Sequence, residues 1–252
     1  MRSIPYILGL AITLSSAFVE AGVDDVAGGK NAVIEPPRQT FHFESLAAWD
    51  SRYASEGRDN LNGANLGSLL LQLKYDAWTF GNWLALSDAV DYEERNFFAE
   101  YGFEWGELEG FLGYKFLQFP GEDNEDDNEF GAGLSGPELV FGLVPEIDWY
   151  YSVDSGGSYI ELGLSREIVL TDQLRLDPSL TFGRNDGYVS DGHNGFDHAR
   201  ITLEAHYQIN ERMSIEAHLG RSIAIDPAPG VFSDDRNLKD FFHGGVGFSI
   251  SF

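Results

Sequence analysis

The side chains with chemical capacity in this chain are mostly carboxylates. Forty-one Asp and Glu stand against sixteen Lys and Arg, the formal net charge is −25, and there is no cysteine. Fourteen charged or histidine residues alternate with apolar ones and so would share one face of their segments: Glu100, Glu104, Glu109, Lys115, Glu146, Asp148, Glu161, Arg175, Asp177, Arg200, Glu204, His206, Glu216 and His218. An acidic surface enclosing water favours cations and small neutral solutes and repels anions. The same charge argues against a nucleic-acid partner, which would be repelled. Without cysteine there is no disulfide, no thiolate nucleophile and no Cys-ligated zinc.

Other chemistries are weakly encoded. Ser190, Asp191, His193, Asp197 and His198 hold the residue types of a hydrolase, but they share one polar stretch with no nucleophile elbow, so loop solvation is the better reading and no enzyme activity is assigned. The run Glu122–Asp127 lacks the glycine and terminal glutamate of a calcium loop and reads as a solvated charge cluster rather than a divalent-cation site. His42, His206, His218 and His243 are scattered over separate segments, so no metal site is assigned, and nothing calls for a cofactor.

The elements that must position these residues are strands. In Asp240–Phe252, Phe242, Val246, Phe248, Ile250 and Phe252 alternate with small or polar residues. That period of two gives one apolar and one wet face. A final strand stopping on an aromatic resembles the C-terminal signature of bacterial outer-membrane β-barrels, which implies that Phe248, Ile250 and Phe252 form the signal read by the barrel-assembly machinery. Similar alternation runs through Phe196–Ile209, Arg212–Ile225, Tyr159–Leu170, Phe97–Trp105 and Pro145–Val153. Glycines on the polar faces (Gly102, Gly113, Gly131, Gly133, Gly245, Gly247) read as space in an enclosed interior. Trp49, Tyr53, Trp78, Trp83, Trp105, Trp149 and Tyr151 lie towards segment ends, as interfacial girdles require.

Residues 1–21 have the form of a secretory signal, with Arg2 ahead of an apolar run and Ala21 closing it. Residues 22–40, with Gly28-Gly29 and Pro36-Pro37, read as a flexible periplasmic lead-in, the alternative being a short plug that folds back. From Phe41 onward, long connections (Gly57–Gly67, Asp88–Arg95, Pro120–Asn128, Arg184–Gly195, Asp226–Lys239) alternate with short ones (near Thr79-Phe80, Gly106-Glu107, Ser135–Glu138, Thr171–Gln173, Asn210-Glu211). The expected fold over 41–252 is therefore all-β, a transmembrane antiparallel up-and-down barrel of about twelve strands with its long loops at one end.

Short motifs carry a further resemblance. Trp49–Arg58 followed by a Gly/Asn loop, Pro145–Tyr151 leading to Gly157–Glu161, and Gly187–His198 are similar to segments of the TorF-type porin family. The resemblance implies an outer-membrane channel. The functional expectation is passive diffusion of small hydrophilic solutes with a cation preference; the competing expectation is a closed structural or adhesive barrel. Expected partners are outer-membrane lipid and lipopolysaccharide, the assembly machinery and the solutes themselves.

Overall fold

A computed structural model describes residues 41–120 and 125–252; the expected signal and lead-in lie outside the described residues, as does the run Glu122–Asn124. Twelve antiparallel strands close into a barrel. In order they are β1 (Phe41–Asp50), β2 (Leu66–Tyr75), β3 (Trp78–Ser87), β4 (Tyr92–Trp105), β5 (Leu108–Phe119), β6 (Glu125–Ser135), β7 (Val144–Ser152), β8 (Ser158–Ser165, resuming as Ile168–Thr171), β9 (Leu174–Asp186), β10 (Gly195–Asn210), β11 (Met213–Ala224) and β12 (Phe241–Ser251). Each pairs with its sequence neighbour, and β12 closes on β1 through a register running from Glu44 opposite Ser251 to Asp50 opposite Gly245. Backbone bonds between Phe43 and Phe252 (2.8 and 3.1 Å) extend that seam to the last residue. Closure leaves no unpaired edge, the condition for strands to stand in hydrocarbon.

The alternation in sequence becomes inside against outside. Leu112, Phe130, Ile147, Ile201, Leu203, Ile215, Leu219, Phe242, Val246 and Phe248 are exposed on the outer surface, while their polar neighbours turn inward. A soluble barrel would show the reverse. Burying Leu219 against lipid instead of water is worth roughly 25 cal/mol per Å² of apolar area. Leu219→Arg is therefore expected to be destabilising, by up to about 2–4 kcal/mol. Urea unfolding in liposomes measures this, and an unchanged midpoint would contradict a lipid-facing position.

The connections follow the expected alternation only in part. Tight turns join β2 to β3, β4 to β5, β9 and its predecessor, and β10 to β11, at the end that also carries residues 41 and 252 (the terminal end). At the other, loop end, residues 51–65, 187–194 and 225–240 form long connections. The stretch 88–91 is shorter than expected, however, and the turn after Ser135 runs to residue 143 rather than 138. It contains a short 3-10 turn, Val140–Gly142, with Phe141 at φ 69. The acidic run also differs from expectation: Asp127 lies inside β6, faces inward and accepts hydrogen bonds from Ser152 Oγ (2.7 Å) and the Asp154 amide (2.9 Å).

Candidate functional site

The register places all fourteen expected residues on the inner side of the wall. Successive strands carry Glu104 opposite Glu109, Glu109 opposite Ser135, and Ser135 opposite Glu146, one row close to the terminal end. Among the described residues, none of Glu104, Glu109 and Glu146 forms an ion pair; Glu146 accepts a hydrogen bond from Ser165 Oγ at 2.8 Å. On the opposite wall the carboxylates have basic partners. Arg175 pairs with Asp177 (2.9 Å) and Glu167 (3.3 Å), and His206 lies among Asp177, Glu204 and Glu216 at 3.2–3.9 Å. His218 faces Asp50 at 3.3 Å. Higher up, Lys115 pairs with Glu129 (2.8 Å) and Arg200 with Glu161 (3.3 Å). Ionic side chains thus recur along the lumen, and Glu104, Glu109 and Glu146, on β4, β5 and β7, are the row without ion-pair partners among the described residues.

Solvent access is graded along the axis. Glu104, Glu109, Glu204, His206 and Glu216, towards the terminal end, are exposed or half-buried, whereas Glu94, Asn96, Glu129, Asn185, Asp197 and His198, towards the loop end, are buried. Loop 187–194 covers part of them, with Tyr188 on Glu129 and the Val189 and His193 carbonyls on Asn185, and the first long loop covers the rest. Residues 51–65 turn inward and form a small hairpin, Ala54-Ser55 paired with Arg58-Asp59. At its tip Arg58, 2% exposed, donates to Asp197 Oδ2 (2.7 Å), Asp235 Oδ1 (3.3 Å) and the Glu56 carbonyl (2.9 Å). The same carboxylates bind other groups: Asp197 accepts from Tyr159 (2.8 Å) and contacts His198 Nδ1 (3.0 Å), while Asp235 lies 2.8 Å from His193 Nδ1. Asp59 is held by Arg52, Lys239 (3.2 Å) and the Gly63 amide (2.8 Å). One guanidinium thereby ties loop 51–65 to β10 and to loop 225–240. Beneath the tip a cavity of about 30 Å³ lies between Ser55, Glu56, Lys115, Glu129, Tyr150, Tyr159, Glu161, Tyr188 and Arg200. That holds one or two water molecules.

The cluster carries a pH dependence. Burial pushes the Asp234 carboxyl up to about 6; Arg58 opposes this, while Asp191 and Asp235 add to it. Glu56 is raised as well, chiefly by burial. The folded loops therefore hold protons that unfolded loops, with carboxyls near ~4, release. The Asp234 contribution is complete below about pH 4 and is lost as pH rises through about 6. Amide exchange in 225–240, corrected for intrinsic rate, is expected to be slower at pH 5 than at pH 7.5, and Asp234→Asn should shrink the difference. An undiminished difference in that variant would contradict the assignment.

Several expected roles move. Tyr53 and Trp83, assigned to interfacial girdles, are 1% and 4% exposed and pack inside the barrel with Leu61, Leu66, Leu70, Ala85 and Phe98. Trp49, Trp78, Trp105 and Trp149 do stand outside. The inner glycines mostly make room for neighbouring side chains rather than open space. A Cβ on Gly131 would press on Tyr150 at 3.3 Å, and one on Gly245 would lie 2.6 Å from His218. Asp197 and His198 are fully buried in the loop cluster and Ser190 is exposed; among the described residues no hydrogen bond joins Ser190 to His193 or His198. His218 and His243 meet at 5.7 Å between rings, with His206 apart in its own carboxylate cluster. Sequence reasoning assigned no role to Arg58, Glu56, Asp59 or Asp235, although Trp49–Arg58 entered as a motif. The available signal was Tyr53 and Leu61 standing within an otherwise polar loop.

No known protein family and no curated protein matches this sequence. Solved structures do. A KdgM porin in complex with disordered oligogalacturonate superposes with TM-score 0.55 at 8% identity, covering 84% of this chain and 99% of that one. The NanC porin gives 0.54 at 10% identity over 82% and 98%. LpxR from Salmonella typhimurium gives 0.52 at 11% identity over 82% and 99%. At these identities the likeness is one of fold: the chain has the architecture of outer-membrane porin-type barrels.

Proposed function

We propose that this chain is an outer-membrane channel for passive diffusion of small hydrophilic solutes, with a preference for cations. The observation that carries the reading is the row Glu104, Glu109 and Glu146, open to water and without cationic partners. Carboxylates without counter-ions along a low-dielectric wall concentrate cations and repel anions. In this orientation the loop end faces the outside, against lipopolysaccharide, and the terminal end faces the periplasm. The fold likeness to KdgM and NanC porins supports a channel, and the motif resemblance favours the TorF-type family within that class. Phe248, Ile250 and Phe252, on the seam strand, are the proposed recognition signal for the assembly machinery, and the fourteen inward residues are proposed to line the path.

The test is reversal potential across a planar bilayer in a KCl gradient. Wild type is expected to be cation-selective. The triple variant Glu104→Gln, Glu109→Gln, Glu146→Gln should move the reversal potential towards zero, and an unmoved potential would remove these residues from the path. A closed structural barrel is the second reading, favoured by the loop hairpin that fills the outer part of the lumen. It predicts no conductance steps under any condition.

A further inference from the structure

We propose that the hairpin Ala54–Asp59 is a built-in plug, latched by Arg58, that leaves the lumen as a unit to open the path; this rests on the channel reading above. The loop has two chemically different parts. Its base is apolar: Tyr53 and Leu61 are buried with Leu66, Leu70, Trp83, Ala85 and Phe98 of the wall. Its tip is polar: Ser55, Glu56, Arg58 and Asp59 are all buried. Apolar contact with the wall has no better alternative in water, so the base stays. Buried ions have one, because rehydration recovers the desolvation cost of each charge and offsets much of the lost pairing.

The tip network is also incompletely satisfied. Arg58 Nε, Asn60 Nδ2, His198 Nε2 and Asp234 Oδ2 are buried without hydrogen-bond partners. A partly satisfied polar network is a weak lock. Backbone geometry adds strain at the same place, with Glu56 at φ 43 and Gly57 at φ 71. Glu56 carries that strain, because a side chain disfavours the left-handed region that glycine adopts freely. Finally, the hairpin is closed at its own stem, where the Asn60 amide donates to the Tyr53 carbonyl at 2.9 Å. Residues 54–59 can therefore move out without unravelling the chain on either side.

That stem bond also defines the experiment, since Tyr53 and Asn60 are already adjacent. Residues 54–59 are replaced by Gly-Gly in the full chain, and single-channel records are compared with wild type. The expected result is rare, brief openings in wild type and at least a tenfold rise in open probability in the excised variant. Equal open probability in the two would overturn the plug while leaving the channel standing. Silence in both would overturn the channel reading and the plug with it. Should the excised chain fail to fold, seen as loss of its heat-sensitive gel mobility, Asp235→Asn removes one latch carboxylate from an intact loop. It is expected to raise open probability several-fold, and a wild-type record from that variant would overturn the proposal.

Discussion

Gly57→Val is expected to force the hairpin out of the barrel while leaving the barrel itself intact. Gly57 sits at φ 71, and a Cβ placed there would overlap the His198 ring, with Nδ1 at 2.7 Å. The left-handed conformation costs a branched residue about 1–2 kcal/mol, and forcing the overlap about 1–3 kcal/mol more. His198 cannot yield cheaply, because it is fully buried and stacked on Tyr159 at 6.5 Å between rings. The total of about 2–5 kcal/mol falls on a hairpin with only two cross-strand pairs, whereas the wall is held by ladders around its full circumference. Protease added at the loop side should cut within 51–65 in the variant and not in wild type, with the urea midpoint of the barrel little changed. Equal protection of the loop in both proteins would show that the close approach to His198 does not hold it.

Arg58→Met is the second large effect. The guanidinium is the only side chain that touches both Asp197 and Asp235 among the described residues, and both carboxylates are almost fully buried. Removing the cation leaves two charges in a dry site, and breaking a buried pair from one side typically costs about 3–5 kcal/mol. Methionine fills a similar volume, so packing is not the main loss. The loss is expected to spread beyond the substituted loop, because Asp235 also receives the amides of His193 (3.2 Å) and Ala228 (2.9 Å). Hydrogen exchange should accelerate by two orders of magnitude or more in 187–194 and 225–240 together, and Arg58→Lys should restore part of the protection. Acceleration confined to 51–65 would mean that the three loops are not joined through Arg58.

The sequence carried the wall more clearly than what fills it. In Ala199–Ile209 and Met213–Leu219 each inward position is polar and each outward one apolar, so the two solvents, water and lipid, wrote the pattern directly. β2 and β3 are harder to read. Leu69, Leu70 and Leu71 run together, and Trp83 faces inward. The reason is a third environment: the loop base supplies an apolar partner inside the lumen, so the inner face there need not be polar. Period-two reasoning allows only water inside and therefore sent Trp83 to the lipid side. The candidate site divides in the same way. Glu104, Glu109 and Glu146 followed from alternation. Arg58, Asp59 and Asp235 lie in loops, where a charged run destined for a buried network has the composition of one destined for solvent.

The account stands on a lumen that meets water at the terminal end and is shut by residues 54–59 at the loop end. The absence of cysteine makes this directly measurable with Glu109→Cys as the sole thiol. A membrane-impermeant maleimide applied from the terminal side should label that thiol readily. Applied from the loop side it should not, until Gly57→Val is added to the same chain. Prompt labelling from the loop side with the hairpin residues unchanged would contradict the account.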